Sequence, residues 1–140
     1  MPSRNHSRAA HNLSGLLYAY RQELTVHQQL SLNLDGWQVI PDLCAYRQGT
    51  LSSDWETDDD ECTVPPLLVI EILSPKQNLQ PLVDKIREYL RHGVSSCWLV
   101  EPATRVVSVF PSDGRSKAYA EGTVRDEPVG IEVQLGAIFT

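Results

Sequence analysis

The stretch Pro66–Val94, PLLVIEILSPKQNLQPLVDKIREYLRHGV, decides how the chain is read. Leu67–Leu73 is a near-continuous apolar run, which suits a central strand covered on both faces. Ser74-Pro75 and the polar residues after them end it. Pro81 fits the first turn of a helix, where its missing N–H leaves no bond unmade. The spacing of Leu82, Ile86, Tyr89 and Leu90, with Val83 on the border, predicts an amphipathic helix as far as His92. Gly93 suits the left-handed residue that follows a helix.

Three residues in and near this unit carry chemistry. Glu71 sits inside the apolar strand, where a carboxylate is costly unless it is paired, protonated or bound to metal. Lys85, at about 100° per residue, falls on the flank of the helix's apolar face, between Leu82 and Tyr89. From there its stem can reach a carboxylate of the preceding strand. Asp42 follows Pro41 in a strand-like apolar setting, and its side chain shares the direction of Cys44. Two carboxylates from neighbouring strands can converge on a hard cation such as Mg²⁺ or Mn²⁺, with water completing the shell. Each residue also has a plainer reading. Glu71 can pair with a lysine or arginine, Lys85 with Glu88 on its own helix, and Pro-Asp can simply begin a turn.

Upstream, Ala9, Leu13, Leu16, Leu17 and Tyr20 predict a helix over residues 7–23, capped by Asn5 or Ser7. Leu24–Leu34 reads as a half-buried strand, Asp35-Gly36 as a hairpin turn, and Trp37–Tyr46 as a second strand interrupted by Pro41. Residues 48–66 form an acidic, irregular stretch expected to be a solvated, mobile loop, with Trp55 pinning it to the body. It lacks the glycine and the twelfth-position glutamate of a calcium-binding EF-hand loop. Downstream, strands are expected at Ser96–Val100, Arg105–Phe110, Ser116–Ala120 and Val129–Val133, with a final helical turn over Leu135–Phe139. The order α-β-β-β-α-β-β-β gives an α/β or mixed α+β class. The helix between two apolar strands suggests a right-handed parallel crossover.

The length of 140 residues favours one domain spanning residues 1–140. The formal net charge of −6 argues against whole-surface attraction to nucleic acid or anionic lipid, but leaves room for a small basic groove. Three widely spaced cysteines, Cys44, Cys62 and Cys97, form no C-x-x-C pair and suggest neither a zinc site nor a disulfide framework. No apolar run is long enough to span a bilayer and no signal-peptide pattern follows the basic start, so a cytoplasmic protein is expected.

The combination resembles the Uma-type branch of the PD-(D/E)XK restriction-endonuclease-like superfamily, a branch widespread in cyanobacteria. The resemblance rests on Pro41-Asp42, on Leu68-Val69-Ile70-Glu71-Ile72-Leu73-Ser74-Pro75, on Lys85 with Tyr89 four residues later, on Gly93-Val94 and on Trp98-Leu99-Val100. It implies a restriction-endonuclease-like core with a curved, mixed central sheet flanked by helices. It implies a metal-dependent endonuclease acting on DNA, with Asp42 and Glu71 as ligands of Mg²⁺ or Mn²⁺. Lys85 would take the place of the lysine that most of the superfamily carries two residues after the second carboxylate, a position held here by Leu73. His6 and Ser74 match residues of the family. With Tyr89 they are the accessory candidates, Ser74 as a capping residue. A homodimer is a reasonable expectation for the family. Three departures stand out. Pro81 and Glu101 each occupy a place where the family has an aspartate, and the sequence opens almost at the first helix. The alternative is a restriction-endonuclease-like domain without strong activity that binds nucleic acid or protein.

Overall fold

The computed structural model describes residues 2–140. Helix α1, Arg4–Leu17, continues into a short 3-10 turn at Tyr18–Tyr20. Strands β1 (Leu24–Gln28), β2 (Leu32–Leu34), β3 (Trp37–Val39) and β4 (Leu43–Arg47) follow. After the acidic loop come β5 (Leu68–Ile72), α2 (Leu79–Arg91) and β6 (Ser96–Glu101). Strands β7 (Val106–Pro111), β8 (Lys117–Tyr119), β9 (Thr123–Asp126) and β10 (Ile131–Gln134) then lead to α3, Leu135–Ile138.

Six strands form one mixed sheet in the order β1-β4-β5-β6-β7-β8, and β5–β6 is its parallel pair. This is the mixed α+β architecture expected, with α2 as the crossover between the parallel strands. All five residues of β5 are buried, as the apolar run requires for a strand covered on both faces. Alternation assigns its side chains to two layers. Leu68, Ile70 and Ile72 join a cluster with Leu13 and Leu17 of α1 and Ile138 of α3. Val69 joins a second cluster with Leu82, Ile86 and Tyr89 of α2 and with Leu32 and Leu34 of β2. Glu71 shares the direction of Val69 and so faces α2.

Several boundaries differ from the sequence expectation. Helix α1 starts earlier and is capped by Ser3, whose hydroxyl accepts from His6 N at 3.1 Å; neither Asn5 nor Ser7 is the cap. The expected strand Leu24–Leu34 is two strands, because Gln29 adopts φ 50 and breaks the run. Leu34 then pairs with Trp37 across Asp35 (φ 56) and Gly36 (φ 94), the doubly left-handed turn that Asp-Gly favours. The β2–β3 hairpin lies over α2, with the Trp37 ring centroid 4.9 Å from that of Tyr89. Trp55 does not pin its loop: it is 99% exposed. The loop is tied instead by a bridge from Cys62 to Leu32 and by Tyr46 Oη, which donates to Val64 O at 2.7 Å. Strand β9 was not expected, since Thr123–Asp126 alternates only briefly and ends in a charge.

That charge explains itself in the fold. Asp126 is 1% exposed and accepts from the Ser96 hydroxyl, from Trp98 Nε1 at 2.8 Å and from Val129 N at 3.1 Å. One carboxylate thus ties the β9–β10 arm to the main sheet with every oxygen satisfied, as a buried acid must be.

Candidate active site

The register places Leu43 of β4 opposite Ile70 of β5, so Asp42 enters the sheet beside Glu71. Pro41 has no N–H to offer the ladder, and the strand starts only after it. Ile72, beyond the last registered pair of β4 and β5, donates its N–H to the Asp42 carboxylate instead: Oδ2 accepts at 2.7 Å. His6 Nε2 approaches the same oxygen at 3.1 Å from the first turns of α1. His6 is buried, and the Ser3 cap fixes the turn that carries it.

Glu71 is 3% exposed. Its Oε2 accepts from Tyr89 Oη at 2.8 Å and lies 3.0 Å from Lys85 Nζ. Lys85 and Tyr89 are one helical turn apart, so α2 presents both donors to one carboxylate oxygen. Lys85 keeps 31% of its side chain exposed, so the pair lies at the rim of the core rather than within it. Burial pushes the Glu71 carboxyl up to about 7; Lys85 pulls it down, Asp42 pushes it further up, and the Lys85 and Tyr89 hydrogen bonds lower it. The two carboxylates thus feel each other's charge.

The fold therefore brings together Asp42, Glu71, Lys85, Tyr89 and His6, five of the six residues singled out in the sequence. Ser74 is the exception. The N-cap position of α2 is Asn78, and Ser74 forms a turn in which its carbonyl accepts from Gln77 N at 3.0 Å. Lys85 does not pair with Glu88, which is bound by Arg91 and approached by His92 instead. Sequence reasoning missed the bond from Ile72 N to Asp42. The only signal for it was Pro41, which marks where the regular ladder stops.

The donor set suits a hard cation. Among the described contacts, Asp42 Oδ1 and Glu71 Oε1 receive no protein donor, while their partner oxygens are held in place. No group of three or more His, Cys, Asp or Glu residues that could hold an ion occurs among the described residues. Two carboxylates match Mg²⁺ or Mn²⁺, which keep several waters and take substrate phosphate oxygens as further ligands. A cleft of ≈ 230 Å³, lined by His6, His11, Gln28, Gln29 and Asp42 among others, opens beside Asp42.

A family model described as Uma2, "Putative restriction endonuclease", matches residues 1–137. The chain belongs to the Uma2 family. Among solved structures, this Uma2 chain is similar to a "putative nuclease belonging to DUF820" from Anabaena variabilis ATCC 29413. The identity is 18% and the TM-score 0.83, over 99% of this chain and 82% of that one. It is also similar to a chain of the DrdV–DNA complex solved by cryo-EM, at 14% identity and a TM-score of 0.50, over 97% of this chain and 10% of that one. At such identities both likenesses concern the fold. No curated protein matches this Uma2 member. No helix of the described residues is long and apolar enough to cross a membrane.

Proposed function

We propose that this protein is a metal-dependent endonuclease that hydrolyses DNA phosphodiester bonds, with Asp42 and Glu71 as the ligands of Mg²⁺ or Mn²⁺ and Lys85 as the catalytic cation. The observation that carries this is the convergence of Lys85 and Tyr89 from α2 on Glu71, next to an Asp42 held by Ile72 N and His6. Family membership supports nuclease chemistry.

Bound between the two carboxylates, the ion would supply Lewis acidity toward a phosphate oxygen and a strong nucleophile near neutral pH. The remaining work falls to the chain. Tyr89 fixes the Glu71 rotamer, so that one oxygen is held and the other has no protein donor among the described contacts. Ile72 N and His6 do the same for Asp42. Lys85 is tethered at one end and about a third exposed, which lets its ammonium leave Glu71 and meet the negative charge that grows on the phosphate in the transition state. The covered side of the site, formed by α2 and the β2–β3 hairpin, limits water around Glu71 and strengthens these interactions.

The protein is further proposed to be cytoplasmic; the three free cysteines suit a reducing compartment. Isothermal titration with Mn²⁺ tests the ligand assignment. The wild type should bind one ion, and Glu71→Gln and Asp42→Asn should each lose most of the heat. A silent module that binds nucleic acid or protein is the second reading, favoured by the Lys85–Glu71 pair, which satisfies Glu71 without an ion. On that reading the titration gives no heat, and Glu71→Gln keeps every binding partner.

A further inference from the structure

The molecule carries 18 acidic and 12 basic side chains, yet these are not evenly spread. The loop containing Asp54, Glu56, Asp58, Asp59, Asp60 and Glu61 leaves from the end of β4 and returns at the start of β5. Both roots lie at the end of the sheet away from Asp42. At the other end, α1 runs RNHSRAAHNLSGLL without one acid. Its N-terminal turns bring His6 to Asp42, and its N–H dipoles point the positive end of the helix the same way.

Strands β5 and β6 are parallel, so the turn after β6 lies at the same sheet end as Glu71 and Ile72. That turn carries Arg105, in a left-handed conformation with φ 54. Asn5, Arg8, Pro102 and Arg105 line a cleft of ≈ 130 Å³ where α1 meets the turn. Arg8 and Arg105 are both exposed, and neither pairs with an Asp or Glu side chain among the described residues. Arg8 donates to Thr140 O at 2.6 Å, which holds its guanidinium over the cleft.

We infer that Arg8 and Arg105 grip the DNA backbone on the α1 side of the cut, holding phosphates that flank the one to be hydrolysed. This rests on the nuclease reading above and adds to it the surface that receives the polymer. Guanidinium forks suit phosphate oxygens. A local basic rim is also what a chain of negative net charge needs in order to bind a polyanion at all. The segregation of the acidic loop to the far end then steers DNA toward the carboxylates rather than away from them.

The test is binding of a short fluorescent duplex, and of the single strand, by the full chain across a range of salt in Ca²⁺-free and Mg²⁺-free buffer. The double variant Arg8→Gln/Arg105→Gln should bind at least about tenfold more weakly, and its slope of log affinity against log salt should fall by about 2. Arg21→Gln, which removes one charge just past the 3-10 turn that follows α1, should leave affinity and slope unchanged. Thermal melts establish that all variants fold. An unchanged slope in the double variant overturns the inference, as does a wild type that binds neither probe. Cleavage by the wild type in Mg²⁺ is scored separately, so the nuclease reading can stand where this inference falls.

Discussion

Tyr89 Oη and Lys85 Nζ meet the same oxygen of Glu71, at 2.8 and 3.0 Å, and leave the other oxygen without a protein donor. One carboxylate is thereby both anchored and available. The arrangement makes specific demands on each partner.

Tyr89→Phe removes a buried donor and keeps the ring packing against Trp37. The loss should cost about 1–3 kcal/mol in urea denaturation, the penalty of leaving part of a buried carboxylate unsatisfied. Cleavage should fall less than in any variant of Lys85, because Tyr89 positions Glu71 and meets no substrate.

Lys85→Met should abolish cleavage while leaving Mn²⁺ binding in place, since the ligands are the carboxylates. Stability at neutral pH should drop by about 1 kcal/mol, a value kept small because the lysine is about a third exposed. Calorimetry beside a plasmid-nicking assay separates the two effects.

Glu71 titrates near 7, chiefly because it is buried. Metal binding requires the carboxylate, so Mn²⁺ affinity should rise between about pH 6 and pH 8. For folding the sign is opposite. The folded-state value lies above the ordinary 4.5, so Glu71 contributes stability below about pH 4.5, and this is lost as pH rises through about 7. In Glu71→Gln that part of the pH dependence of stability should vanish, as read by denaturation at a series of pH values.

Much of this was legible in the chain. The β5–α2–β6 unit followed from an apolar run, a proline and a helical stripe, because each of those signals is local. Helix arithmetic put Lys85 on the flank that serves Glu71, and that is where it lies. The hairpin turn was legible for the same reason, since Asp35-Gly36 dictates its own backbone. What was missed depends on contacts far apart in sequence. Gln29 breaks a strand through a left-handed backbone that its side chain does not announce. Trp55 looked like an anchor, but nothing in the loop brings it to the body. The bond from Ile72 N to Asp42 required knowing which residues the register makes neighbours.

Asp126 belongs to that class as well. Asp126→Ala strands Ser96, Trp98 and Val129 as donors in the core. It should lower stability by about 3 kcal/mol or more, summed over the lost partners. The drop should appear as a lower melting temperature, and Mn²⁺ binding at temperatures where the variant is folded should be unchanged.

On the proposed function Glu71 is a working metal ligand and not merely a buried partner of Lys85. The most direct measurement is cleavage of single- and double-stranded DNA by wild type and by Glu71→Gln, each with Mg²⁺, with Mn²⁺ and with chelator. The wild type should cleave with either ion and not with chelator, and a folded Glu71→Gln should not cleave. A wild type inert toward both forms of DNA, or a Glu71→Gln as active as the wild type, would contradict it.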